Sequence, residues 1–285
     1  MTDHESSTSQ STGVAADGAT SEGRPLAVVT GASSGIGLEL AKQFAENGFD
    51  LVVAAEDELT AAAASLRAIT GDEGLVQTVR VDLRLPEGVE ELYAAVQRDG
   101  RPLAAIALNA GVGQGGAFID NDLDDELSII DLNVTSTVRL AKLVLRDMVA
   151  AGQGRVLVTS SIASTMPGSF QAVYNASKSF LQSFTEALQN ELKDTPVTLT
   201  TLMPGPTETE FFDRAGMSED TKVGTSKKDD PAQVARQGFE AMMSGKPRAV
   251  GGGLKTKVQE AAAKVMPDRL KAAMHRQMAE PGSGS

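Results

Sequence analysis

The sequence predicts an α/β fold in which helices cover both faces of a doubly wound, parallel sheet of about seven strands. Two observations lead to this prediction: short apolar runs recur along most of the chain, and helical patterns separate successive runs. The runs are nearly continuous rather than alternating, which is typical of strands buried on both faces. Strands that alternate with helices form parallel sheets with right-handed crossovers. We therefore expect one domain built around a central sheet.

The elements follow one another in a regular order. The apolar runs with the length of buried strands are Leu26–Thr30, Leu51–Ala54, Val76–Val81, Leu103–Leu108, Val156–Thr159 and Val197–Met203, with a weaker one near Arg248–Gly251. The helices predicted between them include Gly35–Asn47, Glu87–Arg98, Asp125–Ala150, Val173–Lys193 and Pro231–Ser244. Gly48 follows the first helix, where a glycine that ends a helix belongs.

Both ends of the chain differ from this core. Residues 1–24 consist mainly of Ser, Thr, Gly and Ala, so they bury too little apolar surface to offset their ordering entropy, and we predict a disordered tail. Residues 280–285 lead to the same prediction, and residues 25–252 form the predicted domain. Residues 253–279 predict a helical extension, broken near Pro267, with six basic side chains in an otherwise acidic protein. A helix on a membrane surface and a peripheral helix with a solvated basic face both fit this pattern, and we favour the second.

Composition excludes several classes of function. The net charge of −12 repels phosphate backbones, so nucleic-acid binding by a broad basic surface is not expected. The absence of cysteine excludes disulfides, thiolate nucleophiles and cysteine-bound zinc. The two histidines, His4 and His275, lie near opposite ends of the chain and give little basis for a metal cluster or a Ser-His-Asp triad. No apolar stretch is long enough for a transmembrane segment, and no secretory signal is present, so we expect a cytoplasmic protein.

A glycine-rich turn follows the first predicted strand and opens a helix; it reads Thr30-Gly31-Ala32-Ser33-Ser34-Gly35-Ile36-Gly37. Gly31 permits a tight turn, Gly35 lets the backbone approach a pyrophosphate, and Gly37 permits close packing of the helix on the strand. The N–H groups at the start of the helix can bind phosphates. Such a turn alone is often only a turn. After the first strand of an α/β pattern it indicates a dinucleotide site on a Rossmann-type sheet.

This loop resembles the cofactor loop of the short-chain dehydrogenase/reductase family, and further motifs similar to those of the family occur in the same order. After the glycine loop these are Asp82-Leu83, Asn109-Ala110-Gly111, Asn133, Ser160-Ser161, Tyr174-x-x-x-Lys178 and Pro204-Gly205 followed by Thr207 and Thr209. The resemblance spans about residues 26–250. It implies an NAD(P)-dependent oxidoreductase that interconverts a secondary alcohol and a ketone or aldehyde. It also implies cofactor contacts from Gly31, Ser33, Ser34, Gly35, Ile36, Gly37, Glu56, Asp82, Leu83, Asn109, Ala110, Gly111, Tyr174, Lys178, Pro204, Gly205, Thr207 and Thr209.

Tyr174 and Lys178 are the predicted general acid/base pair. A tyrosine has a pKa near 10, too high for a base at neutral pH, but a lysine four residues later lies on the same helix face. The ammonium and an oxidised nicotinamide favour the phenolate, which predicts a lowered tyrosine pKa. On its own this spacing usually means a packed ring beside a solvated lysine. The resemblance also implies that Lys178 binds the nicotinamide ribose.

Two further residues are expected to assist this pair. Ser161 precedes Tyr174 by 13 residues, the family's spacing, and its hydroxyl is expected to bind the substrate oxygen, with Ser160 as the alternative. Asn133 is expected to hold a water that links Lys178 to solvent in a proton relay. Alternatively, the Asn133 side chain forms hydrogen bonds with backbone groups and has no part in a relay.

The residues after the second strand favour NAD over NADP. Counting from Gly48, the position at which the family selects NAD falls at Ala55, and Glu56 follows it. The 2′-phosphate of NADP needs a cation, whereas a free ribose diol suits a carboxylate. Glu56, Asp57 and Glu58 would repel the phosphate, although an arginine from elsewhere, such as Arg84, could change this preference.

The segment after the sixth strand, from Pro206 to about Lys228, is expected to cover the substrate. It contains Phe211 and Phe212, and Met166 and Phe170 are expected to line the same cavity. These side chains indicate an apolar substrate of lipid, steroid or aromatic-carbonyl type. Alternatively, they close a lid without touching the substrate.

The sequence also raises two other functions and implies an oligomer. A cofactor-binding sensor or scaffold without catalysis is the second hypothesis, and the complete set of Ser161, Tyr174, Lys178 and Asn133 argues against it. An epimerase or dehydratase is disfavoured by the glycine spacing and the modest length. The resemblance also implies a homodimer or homotetramer that pairs the helices Asp125–Ala150 and Val173–Lys193.

Overall fold

The computed structural model describes residues 23–71, 76–217, 220–263 and 266–284, and within these ranges seven strands form one parallel sheet. The strands are β1 (Leu26–Thr30), β2 (Asp50–Ala55), β3 (Val76–Arg80), β4 (Leu103–Leu108), β5 (Gly154–Thr159), β6 (Val197–Pro204) and β7 (Arg248–Gly251). Their order in the sheet is β3-β2-β1-β4-β5-β6-β7. Every pairing between neighbours is parallel, which confirms the predicted fold class.

Helices connect the strands and continue beyond the last one. They are α1 (Gly35–Glu46), α2 (Thr60–Thr70), α3 (Pro86–Asp99), α4 (Leu123–Ile129), α5 (Ser136–Ala151), α6 (Ala172–Glu191), α7 (Phe211–Arg214), α8 (Lys222–Thr225), α9 (Pro231–Met243), α10 (Leu254–Ala263) and α11 (Asp268–Ala279). A 3₁₀ turn, Ile162–Thr165, lies between β5 and α6. In the described part of the chain, no helix is both long and apolar enough to cross a membrane.

The sheet separates two apolar layers. Successive side chains of a strand point to opposite faces, and accordingly Val28 belongs to one buried cluster and Val29 to the other. On the first face, α3 and α5 pack on the sheet through β2 and β4, with Leu92 and Val144 in the cluster. On the second face, α1 packs against α9. Both faces are therefore covered, which is why the central strands β1 and β4 are mostly apolar, while the edge strand β3 exposes Gln77, Thr78 and Arg80.

The strand order reverses direction between β1 and β4. The chain runs outward from β1 to β3 on one side and from β4 to β7 on the other. At such a point the connections leave to opposite sides, and a crevice opens beyond the carboxyl ends of the strands. Thr30 ends β1 and Leu108 ends β4 at this crevice. The topology thus brings the glycine turn and the segment after β4 together.

The long helix predicted over Asp125–Ala150 is interrupted. A π-helical segment, Ile130–Thr135, separates α4 from α5. The extra residue in a π turn shifts the side chains that follow it, and such turns are frequent at functional sites. Asn133 lies within this segment and is fully buried.

The ends of the chain differ from the expected tails where the structure describes them. Residues 1–22 lie outside the described residues. Arg24 donates to the carbonyl of Gly48 over 3.1 Å and pairs with Asp50 over 3.2 Å, so it packs on the domain although it belongs to the predicted tail. Residues 280–284 are not a free tail: the Gly282 N–H donates to the Asp220 carboxylate over 2.8 Å. Backbone hydrogen bonds, rather than apolar burial, hold this glycine-rich end.

The C-terminal extension is not peripheral. Lys271 of α11 donates to the carbonyl of Thr165 over 3.1 Å, and Ser169 donates to the carbonyl of Ala272 over 3.3 Å. Ala279 is buried in an apolar cluster with Phe212. Of the basic residues predicted here, Lys264 lies outside the described residues. The extension therefore packs on the segments that follow β5 and β6, a placement that its basic composition did not predict.

Candidate active site

The glycine turn after β1 has the backbone that its sequence requires. Gly31 and Gly35 have φ angles of +67° and +55°, in the left-handed region that favours glycine. A Cβ at Gly35 would lie 2.9 Å from the Thr209 side chain, and a Cβ at Gly37 would lie 1.9 Å from the Gly31 carbonyl oxygen. No side chain caps the start of α1 at Ser34. The N–H groups of the first turn therefore face the crevice without a side-chain acceptor, as a phosphate site needs.

Gly37→Ala is expected to destabilise the protein by about 3 kcal/mol, because the methyl group overlaps a backbone oxygen that cannot move aside. The helical position would otherwise favour alanine, so the sign of the change isolates the packing effect. Urea unfolding measures it. Gly48→Ala is the control: its φ of +84° carries backbone strain, but a Cβ there would meet no atom of the described residues within 4 Å apart from those of its chain neighbours, and a smaller loss is expected. Equal losses in the two variants would contradict the packing argument.

A hydrogen-bond network joins the ends of β1, β4 and β5. The Thr30 hydroxyl accepts from the backbone N–H groups of Asn109 (2.9 Å) and Ala110 (3.1 Å). The Asn109 amide donates to the Thr30 carbonyl over 3.2 Å, and its oxygen accepts from the Thr159 hydroxyl over 3.0 Å. Asn109 thereby fixes the floor of the crevice between the glycine turn and β5.

Three polar side chains meet on the β5 side of the crevice. Tyr174 and Lys178 lie one turn apart on α6, and Ser161 follows the end of β5. The Ser161 hydroxyl lies near the Tyr174 hydroxyl, close enough to lower its pKa, and donates to the Pro204 carbonyl over 3.5 Å. Lys178 Nζ lies 5.8 Å from the centroid of the Tyr174 ring and donates to the Thr159 carbonyl over 3.0 Å. The structure thus brings the predicted acid/base group, its serine partner and the lysine into one cluster.

Burial controls the protonation of this cluster. It raises the pKa of Tyr174 to about 12, and the nearby Ser161 hydroxyl opposes this increase. Burial also lowers the pKa of Lys178 to about 8, since that ammonium is only 4% exposed. The lowered tyrosine pKa predicted from the sequence is therefore not a property of the protein alone. Lys178 is turned towards Thr159, and the loss of hydration at Tyr174 outweighs its attraction.

Ser160, the alternative to Ser161, has a different environment. Its side chain is 2% exposed, and its hydroxyl donates to the Lys178 carbonyl over 2.9 Å. The Ser161 hydroxyl accepts from the Ala163 N–H over 3.1 Å and remains beside Tyr174. These contacts favour Ser161 as the serine that meets a substrate oxygen.

Asn133 lies behind Lys178 rather than on the wall of the crevice. Its side-chain oxygen accepts from the Val112 N–H over 2.9 Å, and its nitrogen donates to the Val112 carbonyl (2.9 Å) and to the Ser177 hydroxyl (3.0 Å). Both donor hydrogens of the amide are thus used within the protein. These contacts position the segment after β4, and the proton relay stays a prediction.

The far end of the crevice is acidic but contains paired arginines. Arg84 pairs with the Glu56 carboxylate and, over 2.9 Å, with Asp82. Arg214 pairs with Asp57 over 2.9 Å. Arg84, which the sequence raised as a cation that could accept a phosphate, is therefore neutralised by two carboxylates.

The side of the cavity opposite the sheet is apolar. Phe211 lies against Tyr174, with 5.1 Å between the ring centroids, and Phe212 is buried in the cluster with Ala279. Phe170 does not line the cavity in the described part of the chain. It has a φ of +64° and packs under Arg276, whose guanidinium carbon is 5.3 Å from the ring centroid. Met166 lines the cavity, as expected.

One continuous cavity collects nearly all of the predicted site. The predicted residues on its wall are Gly31, Ser33, Ser34, Gly35, Ile36, Gly37, Glu56, Asp82, Leu83, Asn109, Ala110, Gly111, Ser161, Met166, Tyr174, Lys178, Pro204, Gly205, Thr207, Thr209, Phe211 and Phe212. Asn133 and Phe170 lie outside that wall among the described residues. The cavity runs from the glycine turn past Tyr174 to the C-terminal helix.

Sequence reasoning missed several residues of the wall. Gln171, His275 and Met278 line the cavity near Tyr174. Gln171 stands three residues before Tyr174 on no recognisable pattern. His275 was not expected there, because two histidines near opposite ends of the chain give little basis for a metal cluster or a Ser-His-Asp triad. Within the described ranges, no group of three acidic or histidine side chains is placed to hold a metal ion.

Known proteins are similar to this chain in sequence and in fold. Residues 25–220 match the family model described as short chain dehydrogenase. The chain is 30% identical over 214 residues to the 3-oxoacyl-acyl-carrier-protein reductase FabG of Vibrio cholerae, covering 74% of this chain and 86% of that protein. A short-chain dehydrogenase from Sphingobium yanoikuyae in complex with NADPH has a TM-score of 0.73 at 28% identity, covering 79% of this chain and 87% of that one. A short-chain dehydrogenase/reductase from Burkholderia phymatum in complex with NAD has a TM-score of 0.76 at 25% identity, covering 91% and 98%.

Proposed function

Because the chain belongs to the short-chain dehydrogenase family, we propose that it interconverts a secondary alcohol and a ketone or aldehyde. One observation carries the proposal: Tyr174, Ser161 and Lys178 line the same cavity as the glycine turn. A nicotinamide dinucleotide bound there supplies or accepts the hydride. The protein then has to bind both molecules and move one proton at the substrate oxygen.

The walls of the cavity fit such a dinucleotide. Gly35 and Gly37 let the turn pack closely, since a Cβ there would collide with Thr209 or with the Gly31 carbonyl, and the Ser34 side chain does not cap the start of α1. A Cβ at Gly111 would lie 3.2 Å from Lys178 Nζ, so this glycine keeps the space beside the ammonium open. We assign the pyrophosphate to the glycine turn and the nicotinamide ribose to Lys178.

Tyr174 acts as the general acid when a carbonyl is reduced. With a pKa of about 12 it is a neutral phenol at pH 7, which is the form that donates a proton to the oxygen of the carbonyl. Ser161 holds that oxygen through its hydroxyl. In the opposite direction Tyr174 has to accept a proton as the phenolate, and the charges of Lys178 and the oxidised nicotinamide favour that form.

The reaction is tested by screening alcohols and carbonyl compounds with NAD(H) and NADP(H) in parallel. The alternative, a silent cofactor-binding sensor or scaffold, predicts tight dinucleotide binding without turnover of any compound. Turnover that disappears in the Tyr174→Phe variant supports the enzyme. Turnover that persists there contradicts the assigned acid.

We also propose that NAD is preferred over NADP. Glu56 follows β2, where a carboxylate can accept hydrogen bonds from ribose hydroxyls, and Arg84 is occupied by Glu56 and Asp82. Relatives do not decide this preference, since the solved structures hold NADPH in one case and NAD in the other.

Glu56→Gln is expected to raise the kcat/KM ratio of NADP to NAD about five- to tenfold, because it removes one charge that repels the 2′-phosphate and one partner of Arg84. Steady-state kinetics with both cofactors measure the ratio. Glu58→Gln is the control, since Glu58 pairs with Arg80 and does not line the cavity within the described residues. A wild-type protein that prefers NADP would contradict the assignment.

The substrate we propose is apolar over most of its surface. Phe211 covers Tyr174, and Phe212 closes the wall behind it. We also propose a homodimer or homotetramer formed through α4 to α6, where Leu127, Ile130 and Phe180 are 44%, 39% and 42% exposed. A monomer in light scattering would contradict this assembly.

A further inference from the structure

The C-terminal helix α11 contributes a wall to the catalytic cavity. His275, Met278 and Ala279 line it, although the family model ends at residue 220. The contacts of Lys271 with Thr165 and of Ser169 with Ala272 fix the helix against the segment that leads from β5 to α6. A helix held in this way can present a side chain to the substrate at a defined position.

The His275 ring has a defined tautomer. Its Nδ1 lies 3.0 Å from the Ser169 carbonyl oxygen, and a carbonyl oxygen only accepts, so Nδ1 carries the proton. Burial lowers the pKa of His275, against the opposing effect of the Ser169 hydrogen bond, and keeps the ring neutral at pH 7. Nε2 is then an acceptor. Among the described residues, no hydrogen bond of Nε2 is found, and the residue lines the cavity.

Gln171 lines the same cavity with an unused donor. It is the residue before α6, it is 7% exposed, and its side-chain nitrogen is buried without a hydrogen-bond partner in the described part of the chain. An unpaired buried donor costs about 1 to 3 kcal/mol, and native proteins rarely keep one without a use. Gln171 lies two residues after Ser169, the residue that holds His275.

We infer that Gln171 and His275 form a polar subsite for a second hydroxyl group of the substrate, remote from the carbon that reacts at Tyr174. A hydroxyl satisfies both side chains at once, since it donates to His275 Nε2 and accepts from the Gln171 amide. The wall around them is apolar, with Met278 and Ala279 on α11. The substrate class is therefore an apolar ketone or alcohol with a distal hydroxyl, and this inference rests on the proposed function.

The subsite is tested with benzylacetone and its para-hydroxyphenyl analogue, two ketones that differ only in one distal hydroxyl. We expect wild-type kcat/KM to be about tenfold higher for the hydroxylated ketone, mainly through KM. The decisive variant is His275→Asn, because an asparagine nitrogen can replace Nδ1 in the contact with Ser169 while the Nε2 acceptor is lost. In this variant, and in Gln171→Leu, the preference is expected to fall to about one- to threefold.

Met278→Leu is the matched control: it changes the same helix and wall without a polar group, and it should keep the tenfold preference. A wild-type preference near one, or one that both variants retain, would overturn the subsite. Binding of the two ketones to the dinucleotide-loaded protein, followed by ligand-observed NMR, separates this inference from the proposed function. Selective binding that His275→Asn abolishes supports the subsite even without turnover of either ketone, and absence of turnover across the whole alcohol and carbonyl panel then contradicts the enzyme. Absence of selective binding in the wild type overturns the subsite.

Discussion

Replacing Tyr174 by phenylalanine is expected to lower kcat about 10²- to 10⁴-fold, since it removes the group that donates or accepts the proton at the substrate oxygen. The ring remains, and with it the contact to Phe211 at 5.1 Å between centroids. The interaction of its hydroxyl with Ser161 is lost, and that serine keeps its contacts with the Ala163 N–H and the Pro204 carbonyl. Stability and dinucleotide affinity should therefore change little, while turnover nearly disappears.

The protein provides its own control for this substitution. The other tyrosine, Tyr93, donates from its hydroxyl to Asp147 over 2.7 Å and does not line the catalytic cavity in the described ranges. Tyr93→Phe removes a hydroxyl of the same kind and should leave kcat within about twofold, because it touches none of the reacting groups. Steady-state kinetics and a fluorescence titration with the reduced dinucleotide compare the two variants. Equal activity in both would show that another group moves the proton.

Replacing Lys178 by methionine is expected to stabilise the protein while it removes most of the activity. Burial lowers the pKa of Lys178 from 10.5 to about 8, which corresponds to a penalty of about 3 kcal/mol for holding the buried ammonium at pH 7. The lost hydrogen bond to the Thr159 carbonyl offsets about 1 kcal/mol. We therefore expect the free energy of unfolding to rise by about 2 kcal/mol, and kcat to fall about a hundredfold.

The pH dependence distinguishes this explanation from a general packing effect. Between pH 8 and pH 10.5 the unfolded chain binds a proton at Lys178 that the folded protein has released, so the stability of the wild type rises with pH in this window. The advantage of Lys178→Met should be full below pH 8 and should shrink towards pH 10.5. Lys42→Met, at a surface residue paired with Glu39, serves as the control without this dependence. A constant advantage from pH 7 to pH 10 would contradict the burial penalty.

The sequence predicted that Tyr174, Lys178 and Ser161 lie together, because the signals for this placement are local. Tyr174 and Lys178 are one helical turn apart, so their proximity follows from the helix alone. The glycine turn likewise needs positive φ angles, and glycines stand at the two positions that adopt them, Gly31 and Gly35. Ser161 was located through its motif spacing, and the strand that ends before it fixes its place.

The sequence predicted less about residues whose surroundings come from segments distant along the chain. The prediction of a lowered pKa for Tyr174 included the charge of Lys178 but not burial. Burial depends on the whole cavity and raises that pKa. Phe170 was assigned to the pocket from its position between Ser161 and Tyr174, yet its φ of +64° turns it beneath Arg276 of α11. The π-helical turn at Asn133 was also missed, because the helical pattern around it continues without interruption.

By itself, then, the sequence predicted the parallel sheet, the glycine turn after β1 and the proximity of Tyr174 to Lys178, and the structure contains all three. All three arise from periodicity or from contacts within a few residues along the chain. Only the tertiary structure shows which residues of α11 line the cavity near Tyr174. His275 and Ser169 are 106 residues apart, and no local pattern predicts that they meet. His275 lines the cavity because α11 packs against the segment that precedes Tyr174.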